Sequence, residues 1–142
     1  MAFLTDNDYK GQIKDSTLLT IIDGDAGVRT LCEQSAEAQM RSRLNVRYDV
    51  AAIFGASGAN RNAEIIMYYI DMVLYHLHSR INPGQVPELR KERYGDAITW
   101  LDKMASGDYA ADLPKVGDTD GDGVDDKEVI QWGGRPARNT YY

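Results

Sequence analysis

The feature that most limits the fold of this chain is an apolar segment between Ile65 and Leu77. Its sequence, IIMYYIDMVLYHL, contains only one acidic side chain, Asp71, and no lysine or arginine. Placed on a helix, these apolar residues cover almost the whole circumference, and a helix of that kind lies at the centre of a fold. Asn82-Pro83-Gly84 then ends the helix. We therefore predict a central core helix over residues 64–80.

Two stretches flank this segment with the pattern of amphipathic helices. In residues 26–48 the apolar stripe contains Val28, Leu31, Cys32 and Ser35 and continues at a spacing of four through Met40, Leu44 and Tyr48. In residues 88–104 the predicted inward residues are Leu89, Tyr94, Ala97, Ile98, Leu101 and Met104. Each helix has one apolar face that has to be buried against a neighbour, and the central helix provides the partner surface.

The first residues predict shorter elements. Thr5 and the acids after it favour a helix start, which Gly11 interrupts. A second short helix begins at Asp15 or Ser16, with a buried strand as the alternative. The small, glycine-rich stretch 53–60 predicts a loop. Together these elements predict a mostly α fold, a small bundle of about four to five helices around one long apolar helix.

The composition changes after Gly107. From there to Tyr142 the chain has eight acidic and four basic residues and few aliphatic ones. A chain of 142 residues has room for one ordinary core,. We therefore divide it into a helical domain, residues 1–107, and an acidic, Gly/Asp-rich C-terminal extension, residues 108–142, that forms an extended arm.

The charge of the chain disfavours some classes of partner. The formal net charge is −6 and the pI is about 4.8, which disfavours binding to nucleic acids and to anionic membranes. The N-terminus has no basic region followed by an apolar stretch, and no apolar run is long enough for a membrane span. We expect a soluble protein made in the cytoplasm, without a membrane partner.

The sharpest local motif is the Asp-rich stretch 118–126, DTDGDGVDD. Carboxylates at alternate positions, a glycine for the turn and a backbone carbonyl are the ligands of a Ca²⁺ loop. The candidate ligands are Asp118, Asp120, Asp122, Val124 and Asp126. The glutamate expected at the twelfth position is replaced by Val129. The stretch is thus either a weak, stabilising calcium site or an acidic turn that holds no ion.

The last residues carry a candidate interface. Aromatic and arginine side chains are enriched at the centres of protein interfaces. The candidates are Trp132, Arg135, Arg138, Tyr141 and Tyr142. We favour an arm that becomes ordered on a neighbouring subunit over a disordered end.

No catalytic centre is evident. His76 and His78, two apart on a helix, point to nearly opposite sides and cannot chelate one metal together. His76 and Cys32 lie on apolar stripes and are interpreted as core or interface residues, with a Cys–His catalytic pair as the disfavoured alternative. Asp71 is interpreted as a solvated or interface residue. We predict that the protein is not an enzyme.

Four segments together resemble a known family. They are Phe3-Leu4-Thr5 at the start, residues 43–49 (RLNVRYD), residues 70–77 (IDMVLYHL) and residues 92–101 (ERYGDAITWL). Their pattern resembles a small family of structural proteins from Mu-like phages and prophages, the head–tail adaptor or head-completion proteins. The resemblance runs from about residue 2 to 107; the loop after Ile53 and the residues beyond Gly107 depart from it.

The resemblance implies a helical bundle that works by assembly. Roughly a dozen copies would form a ring between the portal and the tail or a tail-completion protein, at the neck of the virion. DNA would pass through this ring without specific binding. The alternative function is a calcium-stabilised protein-binding module that acts through the Asp-rich loop.

Overall fold

A computed structural model of the protein describes residues 2–117. The helices of this part are α1 (Asp6–Tyr9), α2 (Asp15–Ile22), α3 (Ala26–Leu44), α4 (Val50–Gly55), α5 (Ala63–Ile81) and α6 (Glu88–Ser106), with a 3-10 helix at Gly58–Asn60. The predicted mostly α fold is confirmed. Among the described helices, none is both long and apolar enough to cross a membrane.

Helix α5 is the central helix that the sequence predicts. The side chain of Asn62 begins it by accepting hydrogen bonds from the backbone N–H groups of Glu64, at 2.9 Å, and Ile65, at 3.1 Å,. Its buried residues are Ile65, Tyr69, Ile70, Asp71, Met72, Val73, Leu74 and Leu77. It packs against α2, α3 and α6. Each large apolar side chain that it buries favours folding by about 1.5–3 kcal/mol.

Helix α3 covers one side of α5 with a row of residues spaced by four. Ala36, Met40 and Leu44 are buried on this row, and Cys32 packs partly buried at its start. The prediction that Leu31 faces inward is wrong, since this side chain is 65% exposed. Leu31 precedes Cys32 by one position and therefore lies about 100° around the helix from the buried row.

Helix α6 covers another side of α5 through Ala97, Trp100, Leu101 and Met104. Tyr94 and Ile98 are partly buried against the core, as predicted. Leu89 was predicted to face inward and is 55% exposed. It lies in the first turn of α6, where it borders a surface groove instead of the core.

The predicted loop over residues 53–60 starts inside a helix, because α4 continues to Gly55. Helix α3 ends at Leu44, and after a short connection Asp49 starts α4 by accepting a hydrogen bond from Ala52 N–H at 3.0 Å,. Ile53 and Phe54 lie within α4 and are buried. These two side chains anchor the helix to the core, which outweighs the glycine-rich sequence that follows them.

The N-terminal segment is held by an ion pair. The Arg61 guanidinium donates to the two carboxylate oxygens of Asp8 at 2.6 and 3.2 Å, and to the carbonyl oxygen of Phe3 at 2.8 Å. Both charged side chains are nearly buried. Thr5 also donates to Asp8, through its backbone N–H at 2.7 Å and its hydroxyl at 2.8 Å. These contacts join α1 to the residues just before α5.

The residues after α6 turn back toward the end of α3. Leu113 is buried in the core. Tyr48 and Lys115 form an antiparallel β-bridge, flanked by hydrogen bonds from Asp49 N–H to Pro114 O at 2.8 Å and from Val116 N–H to Arg47 O at 3.2 Å. The division of the chain at residue 107 stays a prediction, but the first residues beyond it contact the bundle.

Gly95 within α6 and Gly107 just after its last residue should respond oppositely to replacement by alanine. Gly107, which ends α6, has a φ of 86°, and an added Cβ would overlap the Arg47 guanidinium. Gly107→Ala should therefore lower the free energy of unfolding by about 1–2 kcal/mol. Gly95 lies within the helix with open space around it, so Gly95→Ala should raise that free energy by up to about 1 kcal/mol. Urea denaturation of both variants measures the sign of each change in the free energy of unfolding. Changes of the same sign would contradict this account.

The ion pair between Asp8 and Arg61 should contribute to stability only above acidic pH. Burial raises the pKa of Asp8, but hydrogen bonds from Arg61 and Thr5 outweigh burial and hold this pKa below its ordinary value of 3.8. A lowered carboxyl pKa stabilises the fold above the ordinary pKa, and this stabilisation is lost as the pH falls through the folded-state pKa. At pH 7, Asp8→Asn should lower the free energy of unfolding by about 1–3 kcal/mol, with a smaller loss below about pH 4.

Asp6→Asn is the matched control. Asp6 lies in the same helix and pairs with Arg29 at 2.8 Å, but its side chain is 82% exposed. Exposed ion pairs contribute at most about 1 kcal/mol. A pH-independent loss in Asp8→Asn, or an equal loss in both variants, would count against the role given to the ion pair between Asp8 and Arg61.

Candidate functional site

A groove on the surface between α5 and α6 is the candidate site. Tyr68 of α5 and Trp100 of α6 stack in it, with ring centroids 4.7 Å apart. Around this pair lie three exposed large apolar side chains: Met67 at 40%, Leu89 at 55% and Tyr109 at 45%. A cluster of exposed apolar groups rimmed by polar residues is typical of a surface that binds another molecule. We call this surface the α5–α6 groove.

A buried carboxylate lies at the groove. Asp71 is only 3% exposed, and the nearest cation is Arg93, whose Nη1 lies 3.5 Å from Asp71 Oδ1. Burial raises the pKa of Asp71, while the charges of Arg93 and Arg90 partly oppose that rise. Asp71 was interpreted from the sequence as a solvated or an interface residue. The first of these alternatives is wrong, because the bundle itself buries the side chain.

The α1–α2 connection is joined to this carboxylate through Gln12. The amide of Gln12 donates to the carbonyl oxygen of Met67 at 2.9 Å and accepts from Arg93 at 3.4 Å. Arg90 donates to the backbone carbonyl of Gln12 at 3.3 Å. Gln12, Asp71, Arg90 and Arg93 thus form one polar cluster, which fixes three separate parts of the chain beside the groove.

Sequence reasoning missed this cluster, although the sequence contained a signal for it. A lone carboxylate within an apolar helix needs a cation or hydrogen-bond donors, since burying it unpaired is costly. Arg90 and Arg93 on the next predicted helix were the available partners. Gln12 carried no comparable signal, because its contact with α5 depends on how the chain turns after α1.

The residues considered for catalysis are held in structural contacts. His76 Nε2 lies 2.9 Å from Gln39 Oε1, and its ring packs edge-on against Tyr75 and Tyr94 with centroid distances of 5.8 Å. Burial lowers the pKa of His76 and raises the pKa of the Cys32 thiol, so both groups favour their neutral forms. These contacts agree with the interpretation of both residues as packing residues.

The predicted calcium ligands and the predicted arm lie outside the described residues. The ligands are Asp118, Asp120, Asp122, Val124 and Asp126, and the arm residues are Trp132, Arg135, Arg138, Tyr141 and Tyr142. Both sites stay predictions. Within residues 2–117, no group of three or more His, Cys, Asp or Glu side chains is placed to hold a metal ion.

The fold defines the class of the protein, a small helical bundle, and one comparison with known proteins finds a partial similarity to a family. Residues 59–126 match the model of a protein family described as Bacteriophage Mu, Gp36. The match covers slightly less than half of the chain and includes α5, α6 and the groove between them. It supports a Mu-like phage protein. Neither the curated proteins nor the solved structures yield a match to this chain.

The matched range differs from the range of the resemblance seen in the sequence. The match begins at residue 59 instead of residue 2, and it runs past residue 107 to residue 126. The Asp-rich stretch 118–126 therefore belongs to the matched part, whereas the resemblance had left it outside. The N-terminal segments that contributed to the resemblance lie before the matched range.

Removal of the cation beside Asp71 should destabilise the fold in a pH-dependent way. Arg93→Met keeps an apolar stem but leaves Asp71 buried with a more distant cation, at a cost of about 1–3 kcal/mol at pH 7. Without Arg93 the pKa of Asp71 should rise further. A raised carboxyl pKa gives stability that is present at low pH and is lost as the pH rises through it. The loss in Arg93→Met should therefore shrink on acidification.

A double-mutant cycle separates this effect from loss of packing. Asp71→Asn removes the charge that needs a partner, so Arg93→Met should cost much less in the Asp71→Asn background. Urea denaturation at several pH values between 4 and 8 measures all four proteins. Equal costs of Arg93→Met in both backgrounds would show that the two side chains do not interact.

Proposed function

We propose that this protein is a structural component of a phage virion, a head–tail adaptor of which roughly a dozen copies form a ring between the portal and the tail. The observation that carries the proposal is the match of residues 59–126 to the Bacteriophage Mu, Gp36 family. DNA would pass through the ring, and the site of action would be the neck of the virion. The protein works by assembly, without catalysis.

The described surface supports a role in assembly. The α5–α6 groove has exposed apolar side chains next to polar ones, which is typical of interaction sites. The groove lies within the residues that the family model matches. His76 and Cys32, the residues first considered for chemistry, are occupied by packing contacts.

The acidic composition agrees with a channel through which DNA passes. Proteins bind DNA largely by neutralising its phosphates with lysine and arginine, and this chain has 22 acidic residues against 16 basic ones. A ring with a net negative charge would not neutralise the DNA phosphates, and DNA would therefore stay free to move through it.

The proposal is tested in the phage or prophage that encodes the chain. Deletion of its gene should give DNA-filled heads and complete tails that remain unattached, and the intact gene supplied in trans should restore joined particles. A gene copy with an early stop codon is the matched control. Electron microscopy of restored particles carrying a tagged protein should show a ring of added density at the neck. Normal particles after deletion, or tag density on the capsid shell or the tail tip, would refute the proposal.

A further inference from the structure

We propose that the α5–α6 groove binds residues 129–142 from a second copy of this chain. The inference deepens the proposed ring assembly, and rests on it, by naming the contact through which one copy holds the next. Three independent properties of the groove and of this segment support it: apolar surface, charge and reach.

The apolar surface of the groove suits aromatic side chains. The groove is open to solvent and has a volume of about 510 Å³, which is within the usual size range of ligand sites. The stacked rings of Tyr68 and Trp100 form part of its lining, beside the exposed side chains of Met67 and Leu89. Offset and edge-on contacts between aromatic rings add about 0.5–1.5 kcal/mol each beyond the area that they bury. The segment 129–142 supplies Trp132 and two terminal tyrosines.

The charges of the two surfaces are complementary. Glu92, Asp96 and Asp71 line the groove together with a single cation, Arg93, so these four side chains carry a net charge of −2 when ionised. Burial and the charges of Glu64, Asp96 and Asp71 raise the pKa of Tyr68, as a negative field would. Lys103 lies at the Tyr109 end, where its ammonium is 3.2 Å from the phenolic oxygen.

The segment 129–142 has the opposite charge. It contains two arginines, Arg135 and Arg138, and no acid or lysine. Complementary charge of this kind orients an interface and suppresses wrong partners. The same segment is thus rich in aromatic and cationic groups. The aromatic groups suit the apolar lining of the groove, and the cationic groups suit its negative charge.

The chain between the fold and the segment is long enough to reach a neighbouring copy. The described part ends at Gly117, and the eleven residues from 118 to 128 span up to about 36–40 Å when extended. A groove on one copy and a terminal segment from the next make a heterologous contact, which repeats into a ring when the rotation between copies closes and into an open filament when it does not. The proposed ring assembly is therefore the reason for assigning the segment to a second copy, and the isotope pairing described next tests that assignment.

Photo-cross-linking of the full-length chain tests the contact. Trp132→p-benzoylphenylalanine places a photoreactive ring at the predicted anchor. The labelled protein is mixed as equal parts of ¹⁴N and ¹⁵N material, irradiated, digested and analysed by mass spectrometry. We expect cross-linked peptides that join position 132 to residues 67–71 or 89–100, in pairs that combine the two isotopes. Cross-links to other surfaces, or pairs of one isotope only, would overturn the proposal.

Charge reversal supplies the second test, with a control on the same helix. Glu92→Lys combined with Asp96→Lys should reduce the yield of mixed-isotope cross-links about tenfold, the equivalent of about 1.4 kcal/mol of binding free energy. Asp102→Lys should leave the yield unchanged, because Asp102 pairs with Arg43 of α3, at 3.0 Å, and does not line the groove. Adding Arg135→Glu and Arg138→Glu to the groove variant should restore the yield. Thermal melting checks that every variant folds.

The outcomes separate this inference from the proposed function. Mixed cross-links at the groove, in a protein whose deletion leaves particles intact, would keep the contact and reject the adaptor role. Loss of head–tail joining on deletion, together with no cross-link at the groove, would keep the adaptor role and reject the contact. A yield that is equally sensitive to Asp102→Lys would show that general charge drives the association, and would also reject the contact.

Discussion

The burial of α5 on three sides is the interaction on which the rest of this structure depends. Its apolar residues face α2, α3 and α6, and each of those helices is amphipathic enough to need such a partner. One exposed apolar residue of the α5–α6 groove, Met67, follows from the same arrangement. Helix α5 carries more apolar surface than its three neighbours cover, and the Met67 side chain therefore remains exposed on the groove side.

The sequence was sufficient to predict the three long helices from their apolar periods, although the first of them was predicted to reach Tyr48 and α3 ends at Leu44. Asn82-Pro83-Gly84 ended α5 and Gly107 ended α6 where expected. Helix α4 was missed, because its capping residue, Asp49, precedes only six helical residues and a glycine-rich stretch. A short apolar pair such as Ile53 and Phe54 has no readable period, and its burial depends on the tertiary contacts around it.

The candidate site was less predictable than the fold. Whether Leu89 faces the core or a groove depends on how far the neighbouring helices extend, which local spacing does not encode. Asp71 was interpreted as a solvated or interface residue, because local spacing does not show that the Arg93 guanidinium approaches its carboxylate. The groove itself arises from the relative position of two helices, and the residues that line it come from both of them and from Tyr109.

The short pairing between the end of α3 and the residues after α6 has a mechanical consequence. The hydrogen bonds from Asp49 to Pro114 and from Val116 to Arg47 lie where the described chain ends. Tension applied at Gly117 would load these two bonds, and the buried Leu113 beside them, before it reached any helix. The end of the described chain is therefore attached to the bundle through a peripheral contact that is separate from the packing around α5.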